Sequence, residues 1–164
     1  MKRLLTYILL AMTTLMSYAE TPENRLFQFE RSKNKNYICY DANVTNGALN
    51  MKDPIHAYWI LAETDGSVDE LSFLQKKLAF GYNVVKKGDN EVTITLKAYN
   101  GLMIRVHQQD NQWIATTTWN GKEIIISKMY AQLRSPNSLS VEYVDVSGTL
   151  ATTGEAVTER INNK

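Results

Sequence analysis

Apolar and polar residues alternate through most of the chain beyond residue 25, and that period predicts strands. Residues 91–99 are the clearest case, with Val92, Ile94, Leu96 and Ala98 on one face and Glu91, Thr93, Thr95 and Lys97 on the other. Asn100-Gly101 follows, the preferred pair for a two-residue type I′ hairpin, and Leu102, Ile104 and Val106 resume the pattern. Residues 112–119, 122–133, 139–147 and 156–161 read as further strands. Asp110-Asn111, Asn120-Gly121, Ser135-Pro136-Asn137-Ser138 and Thr153-Gly154 mark the turns between them. Upstream, residues 26–31 and 37–43 form a hairpin around Ser32-Lys33-Asn34-Lys35-Asn36, and residues 44–54 read as a loop. Ile55-His56-Ala57-Tyr58-Trp59-Ile60-Leu61 is almost continuously apolar, as in a strand buried on both faces.

One stretch has a different period. Ser67-Val68-Asp69-Glu70 reads as a capping box, with Ser67 as N-cap and Glu70 reaching back from N3. Leu71, Leu74 and Leu78 then fall on one stripe, Lys76 and Lys77 complement the helix dipole, and Gly81 supplies a left-handed end. This predicts one short amphipathic helix, about 67–80, whose stripe covers an open end or face of the sheet. Three strands precede it and at least five follow. The fold class is therefore all-β: an antiparallel meander forming a sandwich or a partly open barrel. No repeat or low-complexity linker divides it, so residues 20–164 form a single β-rich domain.

The N-terminus has another character. Met1-Lys2-Arg3 is basic, residues 4–16 are mostly apolar, and Ser17-Tyr18-Ala19 offers small residues at the −3 and −1 positions of a cleavage site. That is the layout of a secretory signal peptide over residues 1–19, and it places the mature protein in the periplasm or outside the cell. The apolar run is too short for the roughly 20 residues a membrane helix needs, and no later stretch is apolar enough to span a bilayer. Cleavage also changes the charge. The chain has 18 basic and 17 acidic residues, and losing Lys2 and Arg3 leaves 16 against 17. Such a balance lacks the electrostatic footprint of a nucleic-acid or anionic-membrane binder, although Arg31, Lys33 and Lys35 form a local cluster able to hold an anion. Cys39 is the single cysteine, so no intrachain disulfide forms. Within Tyr37-Ile38-Cys39-Tyr40 it reads as a small buried hydrophobe.

Several short segments together carry a family pattern. Phe29-Glu30-Arg31-Ser32-Lys33-Asn34-Lys35-Asn36 leads into Tyr40-Asp41-Ala42-Asn43, and Pro54 precedes Tyr58-Trp59-Ile60. Glu70-Leu71 leads into Leu78-Ala79-Phe80-Gly81-Tyr82. Val144-Asp145-Val146-Ser147-Gly148-Thr149 precedes Gly154 and Thr158-Glu159-Arg160-Ile161. In this order and spacing the chain resembles the domain-of-unknown-function family 4833 over nearly all of its mature length. The resemblance implies a single β-rich, exported domain and assigns no catalytic residue or cofactor.

The candidate chemistry is that of binding. Arg31, Lys33, Asn34 and Asn36 in the first hairpin offer charge-assisted bonds to an anionic group, against the plainer reading of a solvated turn. Tyr58, Trp59 and Tyr82, with Trp113, Trp119, Tyr130 and Tyr143, would stack on a sugar or apolar ligand if gathered on a concave face, and otherwise fill the core. His56 and His107 are the only histidines and stand in no metal-ligand spacing, so no metal or cofactor is implied. No serine elbow, HExxH or phosphate loop occurs. Glu30, Asp41 and Asp145 would serve catalysis only if the fold paired two of them. The leading expectation is an exported, non-enzymatic domain binding a ligand or partner in the cell envelope. The alternatives are an envelope-polymer hydrolase with paired carboxylates and a structural or assembly protein with an exposed strand edge.

Overall fold

A computed structural model of the chain describes residues 23–135 and 140–162. The export signal read in residues 1–19 lies outside the described residues, as does most of the turn after Ser135. Thirteen strands make up the described chain, eleven of them in one sheet. β1 (Arg25–Arg31), β2 (Asn34–Ala42), β5 (Ile55–Ile60) and β6 (Val68–Glu70) form one wing. β7 (Tyr82–Gly88), β8 (Glu91–Leu96), β9 (Ile104–Gln109) and β10 (Gln112–Trp119) form the other. β3 (Val44–Thr45) and β4 (Ala48–Leu49) make a separate small hairpin.

The wings are joined by β11 (Lys122–Leu133). One edge of β11 carries β12 (Val141–Leu150), which in turn pairs with β13 (Ala156–Asn162). The other edge is shared. β10 takes Lys122 to Ile125, and β1 takes Lys128 to Ala131 in the parallel sense. Two wings leaving one strand at different heights must diverge, and their apolar faces close on each other as a half-barrel. Phe27, Phe29, Ile38, Tyr40 and Trp59 from the first wing meet Val92, Ile94, Leu96, Ile104 and Val106 from the second in one core cluster. Between the two pairing segments β11 bulges at residues 126–128 against Gly148. A Cβ there would lie 1.9 Å from the Ile125 carbonyl oxygen, so only glycine permits the approach.

The alternation predicted most strands correctly, including the turns at Asp110-Asn111 and Asn120-Gly121, whose four residues all have positive φ. Three expectations need correction. First, the capping box is Ser72 with Gln75, not Ser67 with Glu70. The Ser72 Oγ accepts from the Gln75 N–H, and the Gln75 side chain accepts from the Ser72 N–H. Residues 68–70 are instead strand β6, paired with β5. Second, α1 (Phe73–Gln75) widens at once into a π-helical turn over Lys76–Phe80. Its Leu74 and Leu78 are exposed, while Leu71 before it and Phe80 at its end are buried. Gly81 is extended rather than left-handed, and its glycine is required because a Cβ would sit 1.9 Å from the Lys76 carbonyl oxygen. Third, Asn100-Gly101 is no two-residue hairpin: neither residue has positive φ, and residues 97–103 form a longer link between β8 and β9.

Candidate functional site

The two-residue period of β5 sends its two neighbouring aromatics, both buried, to opposite faces. Tyr58 points outward and Trp59 into the half-barrel, and each meets an arginine from β1. On the outer face Arg25 and Asp41 are direct cross-strand partners and form an ion pair through the Arg25 Nε. The Arg25 guanidinium donates to the Tyr58 hydroxyl at 2.9 Å, and that hydroxyl donates to the second Asp41 oxygen at 2.8 Å. The ring of bonds is closed. Burial would lower the Arg25 pKa, but the hydrogen bond and charge of Asp41 outweigh it and raise it. Burial, reinforced by Asp41, pushes the Tyr58 hydroxyl up to about 12. Cys39, beside Tyr58 in register, is fully buried, and burial pushes its thiol up to about 11. It is inert packing.

At the other end of β1, Arg31 turns inward to the mouth of the half-barrel. Its guanidinium lies 5.0 Å from the ring centre of Trp59 and 4.9 Å from that of Phe80. Those rings meet edge to face at 5.1 Å and 76°, so the cation sits in an aromatic corner. Among the described residues the buried Arg31 Nε has no hydrogen-bond partner, and no carboxylate forms an ion pair with this side chain. Burial lowers the pKa of Arg31, the opposite of Arg25. Next to it opens a cavity of about 240 Å³. Phe29, Leu78, Ala131 and Leu133 give it apolar walls, Lys33 and Lys97 add two further cations, and among the described residues no acidic side chain lines it.

The walls are fixed by the backbone. The Ser32 N–H donates to the Ala131 carbonyl at 3.1 Å, and the Ser32 Oγ accepts from the Leu133 N–H at 3.0 Å, which pins the first hairpin to the end of β11. The buried Tyr40 hydroxyl donates to the Phe80 carbonyl at 2.8 Å, and the Lys97 N–H donates to the Gly81 carbonyl at 2.9 Å. These bonds hold the π-helical turn as a lid edge over the core.

A larger hollow of about 480 Å³ lies on the other side of that turn and shares Lys97. Its polar groups largely satisfy one another. The Tyr82 hydroxyl donates to Asp53 at 2.7 Å, and Glu70 contacts His56 at 2.7 Å and Lys76 at 3.5 Å. The smaller cavity is therefore the better candidate site, because its charge is unanswered.

Of the residues expected from the sequence, Arg31, Lys33 and Trp59 come together here. Asn34 is paired in register with Arg31, and its buried Oδ1 has no hydrogen-bond partner among the described residues. Asn36 serves the fold, accepting from the Glu63 N–H at 2.9 Å. Tyr58 belongs to the closed outer network and Tyr82 to the larger hollow, so neither joins the site. Phe80, Lys97, Ala131 and Leu133 were not foreseen. The three carboxylates considered for catalysis each have a cation: Glu30 with Lys128 at 3.6 Å, Asp41 with Arg25, and Asp145 with Arg160 at 2.7 Å. Among the described residues no group of three His, Cys, Asp or Glu side chains is placed to hold a metal ion.

The fold and site thus define a half-barrel β-domain with an aromatic and cationic pocket at its mouth. The chain belongs to the family described as Domain of unknown function (DUF4833), whose model matches residues 27–160. No curated protein and no solved structure matches it.

Proposed function

We propose that the protein is an exported binding domain for an amphipathic anion, a carboxylate or phosphate head group on an apolar body, held at the mouth of the half-barrel. Arg31 carries this reading: a half-buried cation with an orphaned Nε, set on two aromatic rings beside a cavity that no carboxylate lines among the described residues. A buried donor without a partner costs about 1–3 kcal/mol, which an anion would recover through charge-assisted hydrogen bonds. Lys33 and Lys97 add attraction without competing acids. The cavity is smaller than the roughly 300–1,000 Å³ that encloses a drug-sized ligand, so it suits a head group and a short apolar segment. Export follows from the layout of residues 1–19 and puts such ligands, abundant in a cell envelope, within reach.

Thermal-shift titration tests the reading. Octyl phosphate and octanoate are compared with uncharged octyl glucoside. A ligand at a hundred times its Kd stabilises the native state by about 2.7 kcal/mol. The expected result is stabilisation by the two anions and little by the glucoside. No shift with either anion, or an equal shift with all three, contradicts it.

A further inference from the structure

The near-neutral composition conceals a local segregation of charge. From Leu71 to Gly88 the chain has no Asp or Glu, yet it carries Lys76, Lys77, Lys86 and Lys87. The same stretch holds most of the exposed large apolar side chains among the described residues. Phe73, Leu74 and Leu78 are 75%, 64% and 70% exposed, and Val84 and Val85 follow on β7. A scattered exposed leucine needs no explanation, but clustering on one short acid-free segment does. These side chains are not failed core. The segment is anchored at both ends by buried Leu71 and Phe80 and by the Tyr40–Phe80 bond, so its fold turns them outward. Lys77 Nζ lies 5.8 Å from the Phe73 ring, which keeps cation and apolar group at the same surface.

We propose that this segment docks the protein on an anionic lipid bilayer, with Phe73, Leu74 and Leu78 entering the interface and Lys77 meeting the head groups, while Lys76 shares its charge with Glu70 at 3.5 Å. Phenylalanine and leucine on one face with lysines beside them is the composition that lies in a membrane interface, and each basic residue near an anionic surface adds attraction. Charge complementarity selects the anionic bilayer over a zwitterionic one. Leu78, Ala79 and Phe80 of the same segment also line the 240 Å³ cavity. The docked edge thus lies beside the pocket mouth, and the bilayer becomes the source of its amphipathic anion. That last step rests on the binding reading above; the docking itself does not.

The experiment is vesicle co-sedimentation of the chain starting at Glu20, which contains every described strand and leaves out the apolar run at residues 4–16. Phosphatidylglycerol vesicles are compared with phosphatidylcholine vesicles, at low and high salt. The expected result is preferential binding to phosphatidylglycerol that weakens with salt. The double variant Phe73→Ser/Leu74→Ser, altered only at exposed positions, should lose roughly tenfold or more of that partitioning. It should still bind octyl phosphate, whereas Arg31→Met should lose octyl phosphate and keep the vesicles. No binding to phosphatidylglycerol overturns the docking proposal, as does undiminished binding by the double variant. Light scattering that shows a dimer abolished by the same double variant, without vesicle binding, would reassign the face to a second copy of the chain. Vesicle binding that persists while octyl phosphate never binds would leave docking standing and remove the pocket reading.

Discussion

Arg25 and Arg31 open and close the same strand, yet their surroundings are opposite. Arg25 faces outward into a closed ring with Asp41 and Tyr58, and every charge there has its counter-charge. Arg31 faces inward onto Trp59 and Phe80, with an orphaned Nε and no carboxylate partner among the described residues. The pKa directions agree: Asp41 overcomes the burial penalty of Arg25, and nothing overcomes that of Arg31. A paired buried cation is a structural element, and removing its partner is expensive. An unpaired one carries its burial cost with no anion to offset it, and the binding proposal rests on that cost.

The largest expected effect comes from breaking the closed ring. Asp41→Ala leaves Arg25 half-buried without an anion and should cost about 2–3 kcal/mol, below the fully buried range because some solvent reaches the pair. Urea unfolding measures it, and a change under about 0.5 kcal/mol would mean the ring is only decorative. Next is Tyr40→Phe, which removes the hydrogen bond that holds the Phe80 carbonyl and should cost about 1–2 kcal/mol. Because Phe80 is one wall of the corner under Arg31, the same variant should weaken binding of octyl phosphate. Unchanged affinity would show that the corner does not depend on this anchor.

Arg31→Met sharpens the contrast. No anion is orphaned and the apolar stem is preserved, while the loss of two cation–ring contacts is offset by the relieved burial of the charge, so the stability change should stay within about 1 kcal/mol of zero. A loss comparable with that of Asp41→Ala, in the same urea series, would erase the distinction between the two arginines. The smallest effect belongs to a third arginine. Arg160 pairs with Asp145 on the exposed face of β12 and β13 and lies over the Tyr143 ring at 3.7 Å. The hydrogen bond from Arg160 holds the Asp145 carboxyl below its ordinary value. Its contribution is then complete above the unfolded pKa of about 3.9 and is lost as pH falls through the lower folded value. Asp145→Asn should flatten the acid limb of stability slightly below about pH 4 and leave neutral pH almost unchanged. An identical acid limb would show the pair to be inert.

Alternation made the strands legible because it is local, and the many short strands implied a sandwich or a partly open barrel without choosing between them. The sequence misplaced the helix because two capping patterns stand five residues apart, at Ser67 and Ser72, and only pairing with β5 decides that residues 68–70 are a strand. It hid β7 because Val84-Val85-Lys86-Lys87 does not alternate, and the strand bulges at Val85. In the site, Arg31 and Lys33 were legible as a cluster of cations in one turn. Tyr58 and Trp59 were grouped as aromatics although period two sends them apart. Phe80, Lys97 and Ala131 were invisible, because the parallel pairing of β1 with β11 and the fold-back of the π-helical turn bring them in from distant sequence.

The contrast between the two arginines can be read directly by NMR, through the Nε–Hε signals of Arg25 and Arg31 during titration with octyl phosphate. The Arg31 signal should move and saturate as its orphaned donor gains an anion, while the Arg25 signal, already bonded to Asp41, stays in place. If Arg31 does not move, or if both move alike, the unpaired arginine is not a binding site and the reading of the pocket fails.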